Sequence, residues 1–313
     1  MRIGLLFNGQ GSQKAGMGQD LYDHLPAFKK HIDRASAILG YDLVDVFNNE
    51  ELISQTKWVQ PAIVAFDAAL AACLLEAGVK DVVSALGLSL GEYPALVASG
   101  MLSFDQAIAL VKDRGAYMQE VGDANPGKMV AVLDDNQDMI VATVEKMQRE
   151  GLAVYAANFN TFAQLVIGGE ALAVDQAVQV LTVDGVKKMV PLPVSGAFHT
   201  PLLKDAADKM AKRLADEDVA DGTYPVYSNT TKEPFTKETV KHTLEKQIVS
   251  PTYFADCLKN MVEEQGVDTL VEIGPGVTLS KFARKIVSKD IARYSVTDWA
   301  SLEKVVAELK EEG

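Results

Sequence analysis

Cysteine is scarce in this 313-residue chain, with only Cys73 and Cys257 present. Two cysteines cannot build a disulfide framework, and with the four histidines they form no cluster at metal-ligand spacing. Cys73 lies in an apolar stretch of helical pattern, residues 62–77, and reads as a buried, inert thiol. Basic charge is also short: 30 Lys and Arg face 43 Asp and Glu, for a net charge of −13. That balance argues against nucleic acid or an anionic membrane surface as partner. An acidic partner would have to dock on a local basic patch. No apolar run approaches the ~20 residues needed to span a bilayer. The opening Met1-Arg2-Ile3-Gly4-Leu5-Leu6-Phe7 is too short for a secretory signal and reads as a strand. Repeats and low-complexity tracts are absent as well. What remains is ordinary for a globular protein, 48% hydrophobic and 23% charged, with length for one large domain and a smaller one. A cytoplasmic, metal-free protein is expected.

The pattern along the chain is α/β with one interruption. After the first strand come Gly9-Gln10-Gly11-Ser12-Gln13 and a helical region near residues 21–39. Pro61 is read as the start of an alanine-rich helix reaching about Gly78, and Ser103 opens another with Gln106 three residues on, a capping box. Alternation of this kind predicts a mostly parallel sheet covered on both faces. Between residues 127 and 194 the rhythm changes to strand 128–133, helix 137–149, strands 153–157 and 164–168, helix 172–182 and strand 187–193. That is β-α-β-β-α-β, a ferredoxin-like inserted subdomain. The expected division is therefore a large α/β-hydrolase-like domain from 1–126 and 195–313, with an insert at 127–194. Late strands are expected at 224–228 and 269–273.

Gly87-Leu88-Ser89-Leu90-Gly91 follows an apolar strand and leads into a helix at residues 92–99. In that context Gly-x-Ser-x-Gly reads as a nucleophile elbow, with the hydroxyl pushed out above the sheet. The alternative is a chance Gly/Ser turn. A serine nucleophile needs a base. His24, His31 and His242 lie on polar segments and read as surface residues. His199 stands between a strand and a helix opening at Thr200-Pro201, with Thr200 as the expected N-cap. No acid between Ser89 and His199 is evidently placed to orient the imidazole, so a backbone carbonyl is the expected acceptor. The result is a Ser–His dyad.

Arg114 continues the apolar stripe Ala107, Leu110, Val111, Met118, Val121 and so points inward, where an unpaired guanidinium is costly. It is either half of an internal ion pair, or a side chain that snorkels to water, or a clamp for a substrate carboxylate. The loop at Gly9 lacks the third glycine of a dinucleotide fingerprint, because Lys14 stands there, and lacks the Walker Gly-Lys-Ser/Thr. It suits instead the supply of a second oxyanion N–H to the elbow.

Together these motifs resemble the malonyl-coenzyme A:acyl carrier protein transacylase family of type II fatty acid synthesis. The resemblance is carried by Phe7-Asn8-Gly9-Gln10-Gly11-Ser12-Gln13, Gly87-Leu88-Ser89-Leu90-Gly91-Glu92-Tyr93, Arg114-Gly115, Asn158-Phe159-Asn160, Gly196-Ala197-Phe198-His199 and Gly274-Pro275-Gly276. It implies Ser89 as the acylated nucleophile and His199 as its base. Gln10 and Leu90 would give the oxyanion N–H groups, and Arg114, Phe198 and Asn160 would contact substrate. Gln247 would orient His199 through its backbone carbonyl. The resemblance further implies malonyl-CoA as substrate rather than cofactor, no metal, and acyl carrier protein as partner. A monomer is expected, with Lys281, Arg284 and Lys285 on one helical face as a candidate docking patch. Two positions depart from the family pattern: Leu88 stands where histidine is usual and Asn8 where proline is usual. Phe198 is what malonyl-selective relatives carry, and serine there accompanies methylmalonyl. Three other readings stay open: a serine esterase or thioesterase, a trans-acting acyltransferase of a polyketide pathway, and a non-catalytic carrier-binding module.

Overall fold

The first strand, Ile3–Phe7, is buried at every residue, as a strand with helices on both faces must be. The structure is a computed structural model and describes residues 1–194 and 196–311. Its strands are β1 (Ile3–Phe7), β2 (Val82–Gly87), β3 (Gly127–Leu133), β4 (Val154–Thr161), β5 (Gln164–Glu170), β6 (Lys188–Pro191), β7 (Val226–Tyr227), β8 (Thr269–Ile273) and β9 (Ala292–Val296). One sheet has the order β7-β2-β1-β8-β9, and every neighbouring pair in it is parallel. That is the expected α/β layer, with β1 at its centre.

The second sheet, β4-β5-β3-β6, is antiparallel and lies between residues 127 and 191. Its order, with the helices Gln137–Arg149 and Ala171–Val183, is that of the ferredoxin-like β-α-β-β-α-β unit. The expected boundary at residue 195 falls on Ser195, outside the described residues, as do residues 312–313. β4 is tied to the segment before the helix Phe254–Gln265 where Phe159 N–H donates to Thr252 O at 2.7 Å and Thr252 N–H to Ala157 O at 2.9 Å.

Several expectations need correction. The alanine-rich helix begins before Pro61, at Thr56, and runs to Glu76. The proline removes one intrahelical bond, but Thr56, Val59 and Gln60 are already buried, so packing holds the preceding turn helical. This helix is also long and apolar enough to span a membrane, contrary to the expectation from apolar runs, yet most of it is buried inside the fold. It serves as a core helix. Asp67 within it is wholly buried, and burial holds its carboxyl well above the usual carboxylate range. The region 21–39 splits at Leu25 into two helices, because Pro26 starts the second. Strand 224–228 shrinks to Val226–Tyr227. The edge strand β9 and the helix Trp299–Glu311 had no expectation at all. The capping box of Ser103 and Gln106 forms as expected on the helix Phe104–Ala124.

Candidate active site

Ser89 sits at the tip of β2 with φ of 52°, in the left-handed region that side chains avoid. A Cβ on Gly87 would lie 1.9 Å from the Gly91 carbonyl carbon, and one on Gly91 would lie 2.3 Å from Phe7 O. Only glycine at both places lets the elbow turn this tightly against β1. The same closeness brings the Gly9-Gln10 loop beside it, with Leu88 N–H donating to Phe7 O at 3.1 Å.

His199 also has a positive φ, of 60°, and its Nε2 lies 2.8 Å from Ser89 Oγ. Its Nδ1 lies 2.8 Å from the backbone O of Gln247, so the acceptor is a carbonyl and the proton rests on Nδ1. Burial pushes the imidazole down to about 4, with the Gln247 carbonyl opposing and the Arg114 charge adding to the fall. His199 is thus a neutral imidazole at neutral pH. Thr200 holds the N-cap position before Pro201 as expected, but its hydroxyl makes no capping bond and donates instead to Ala197 O at 2.6 Å, fixing the turn that presents His199. His24 and His242 are exposed, whereas His31 is half-buried against Phe104, less solvated than its sequence context suggests.

Arg114 is buried, only 1% exposed. Its guanidinium donates to Gln60 Oε1 at 2.7 Å, Gln247 Oε1 at 2.9 Å and Ser89 Oγ at 3.3 Å, while Nε has no partner. Among the described residues it makes no ion pair. The internal ion pair and the snorkelling side chain are both ruled out by this placement. A buried cation held by neutral amides beside Ser89 is suited to pairing with an anion.

These groups open on a cavity of about 150 Å³ between the two sheets. Gln10, Leu90, Phe198 and Asn160 all line it, as do Leu88, Met129 and Val166. Gln10 is anchored to the helix Thr56–Glu76 through Thr56 Oγ1 at 3.2 Å and Gln60 at 3.4 Å. Asn160 Oδ1 is buried with no hydrogen-bond partner. A wider groove of about 500 Å³ shares Gly9, Leu88 and Asn160 with the cavity and continues toward Thr278 and Phe282. Every site residue expected from sequence is therefore gathered in one place.

Three residues were missed. Asn229 accepts the Ser89 N–H at 2.8 Å and donates to Gly87 O at 2.9 Å, clamping the elbow from both sides. Gln60 holds Arg114, and Glu92 holds both Asn229 and Gln247. The Gly-Glu-Tyr after the elbow was the one available signal, for Glu92. Asn8, where the family usually has proline, donates to Glu272 at 2.7 Å and accepts from Gly276 N–H at 2.9 Å. It ties the Gly9 loop to the segment after β8.

The family model described as acyl transferase domain matches residues 5–308. A malonyl CoA-acyl carrier protein transacylase of Bacillus subtilis (strain 168) is 37% identical over 314 residues, 99% of this chain and 98% of that protein. Among solved structures, the MCAT of Streptococcus pneumoniae is 44% identical with a TM-score of 0.93, covering 98% of this chain and 100% of the other. A malonyl-transacylase solved in complex with its type II PKS acyl-carrier protein is 34% identical, also at 0.93, over 98% and 100% of the two chains.

Proposed function

The chain belongs to the acyl transferase domain family, and from that premise we propose that it moves a malonyl group from coenzyme A to the phosphopantetheine thiol of acyl carrier protein, as an [acyl-carrier-protein] S-malonyltransferase of fatty acid biosynthesis. The observation that carries the reading is Arg114, a buried cation with no acid in direct contact, 3.3 Å from the hydroxyl of an elbow serine. A general esterase has no use for such a group. A malonyl thioester brings the missing carboxylate with it.

The chemistry follows a ping-pong course. Ser89 Oγ attacks the thioester carbonyl as its proton passes to His199 Nε2, 2.8 Å away. The tetrahedral oxyanion is received by the N–H groups of Gln10 and Leu90. His199 then gives its proton to the leaving coenzyme A thiolate, and Ser89 carries a malonyl ester. The carrier's thiol repeats the attack, with His199 again taking and returning a proton. Arg114 holds the distal carboxylate throughout, and Asn160, which lines both the cavity and the wider groove, contacts the substrate. No cofactor enters the scheme. The two buried, unpaired cysteines fit a reducing compartment, and hence the cytoplasm.

Intact-mass analysis after incubation with malonyl-CoA tests the reading. One malonyl adduct is expected, mapping to Ser89 and absent from Ser89→Ala. Label on Cys73 or Cys257, or release of free malonate with no adduct and no carrier dependence, would overturn it in favour of another nucleophile or of hydrolysis.

A further inference from the structure

Glu92 is wholly buried at the start of the helix Glu92–Ser99, three residues past the nucleophile, and no step above uses it. One of its oxygens accepts the Asn229 N–H at 2.5 Å and the other accepts from the Gln247 side-chain amide. Those two residues hold the reacting groups. Asn229 clamps the Ser89 elbow, and Gln247 reaches His199 through its backbone O. The Gln247 side chain also accepts from Arg114 at 2.9 Å and donates to Ser89 O at 2.9 Å. Arg114 fixes which end of this amide is oxygen, so its NH₂ must face Glu92. Guanidinium and carboxyl are thereby joined through a single amide, with no water-exposed charge between them.

Resting on the malonyl reading, we propose that Glu92 is a positioning residue whose ionisation, transmitted through Gln247, sets how strongly Arg114 holds an anionic acyl group. Ionised Glu92 partly balances Arg114 and opposes a second carboxylate in the same buried site; protonated Glu92 does neither. Burial pushes Glu92 up to about 8, against the pull of the Asn229 N–H, the Gln247 amide and the Arg114 charge. The other titratable groups around it do not change charge near that pH. Tyr93, its neighbour on the same helix, is pushed up to about 12. Cys257, on the helix Phe254–Gln265, is raised well above its usual range, and His199 is pushed down to about 4. Affinity for an anionic acyl group should therefore be highest below about 8 and fall above it.

The test compares malonyl-CoA with acetyl-CoA, since the two share every phosphate and differ in the distal carboxylate. Affinities are measured by titration calorimetry on Ser89→Ala, which cannot be acylated, from pH 6.5 to 9.5. The ratio favouring malonyl-CoA is expected to fall roughly tenfold through this range. In Ser89→Ala with Glu92→Gln it should stay at its low-pH value, although acylation by Glu92→Gln alone should slow because Gln247 and Asn229 lose their anchor. A pH-independent ratio in Ser89→Ala overturns the proposal, and so does an equal fall in the double variant. Should Glu92→Gln not fold, a pH-independent ratio in Ser89→Ala alone still overturns the proposal. Malonylation of Ser89 in the unsubstituted protein separates a failure here from a failure of the malonyl reading.

Discussion

Arg114 Nη2 lies 3.3 Å from Ser89 Oγ, so the residue that would hold one end of a substrate also touches the atom that attacks the other. That spacing favours a short diacid. With the acyl carbon on Ser89, a single methylene lets the distal carboxylate turn back onto the guanidinium.

Arg114→Ala should cut malonyl transfer by about 10² or more, since removing one partner of an ion pair in a closed site typically costs ~3 kcal/mol or more. Acetyl transfer lacks the carboxylate and should change little or rise. Steady-state kcat/KM for the two thioesters checks this. Equal losses would make Arg114 a structural residue.

Acylation of Ser89 should persist into acid. Burial lowers His199 to about 4, so the imidazole stays an unprotonated base as pH falls past its ordinary range. Its contribution to stability is present above the unfolded value of ~6.5 and is lost as pH falls toward 4. Stopped-flow acylation rates from pH 3.5 to 8 should show their acid limb near 4. A limb at about 6.5 would contradict the buried, neutral imidazole.

Phe198 lines the cavity beside Ser89 and packs on Gly196. Phe198→Ser should open space for one more methyl and raise the methylmalonyl-to-malonyl ratio of kcat/KM by ~10-fold or more, the usual worth of a methyl in a pocket. Competition between the two thioesters, read by mass spectrometry of the acylated enzyme, measures the ratio. No change would place the selectivity elsewhere.

Lys281, Arg284 and Lys285 are exposed on the helix Thr278–Ile286, and Thr278, Leu279 and Phe282 of the same helix line the wide groove. On a chain of net charge −13 this is a local basic face. Reversing all three charges should slow association with an acidic carrier and flatten its salt dependence, while malonylation from coenzyme A changes less. Unchanged carrier kinetics would leave the face without a docking role.

Much of this was legible in sequence because backbone constraints and periodicity are local. Gly87 and Gly91 mark the elbow, since no other residue fits there. The stripe from Ala107 to Val121 turns Arg114 inward, since helix period alone fixes that face. The β-α-β-β-α-β pattern survives because each strand and helix of the insert buries one face of its own. The start of the alanine-rich helix was misplaced at Pro61 because proline usually opens helices, and burial of Thr56 and Gln60 outweighed the lost bond. β9 went unread because Ala292-Arg293-Tyr294-Ser295 is half-exposed at a sheet edge and carries no buried signal.

The sequence by itself thus determined the elements, the elbow and the inward arginine, each set by spacing within a few residues. The tertiary structure decided what those groups meet. Ser89 and His199 are 110 positions apart, His199 and Gln247 48, and Arg114 and Gln247 133. Asn229 reaches the Ser89 N–H across 140 positions. Polar side chains such as Asn229, Gln60 and Glu92 carry no period of their own. Their partners exist only once parallel strands and their crossover helices bring distant segments to the same end of one sheet.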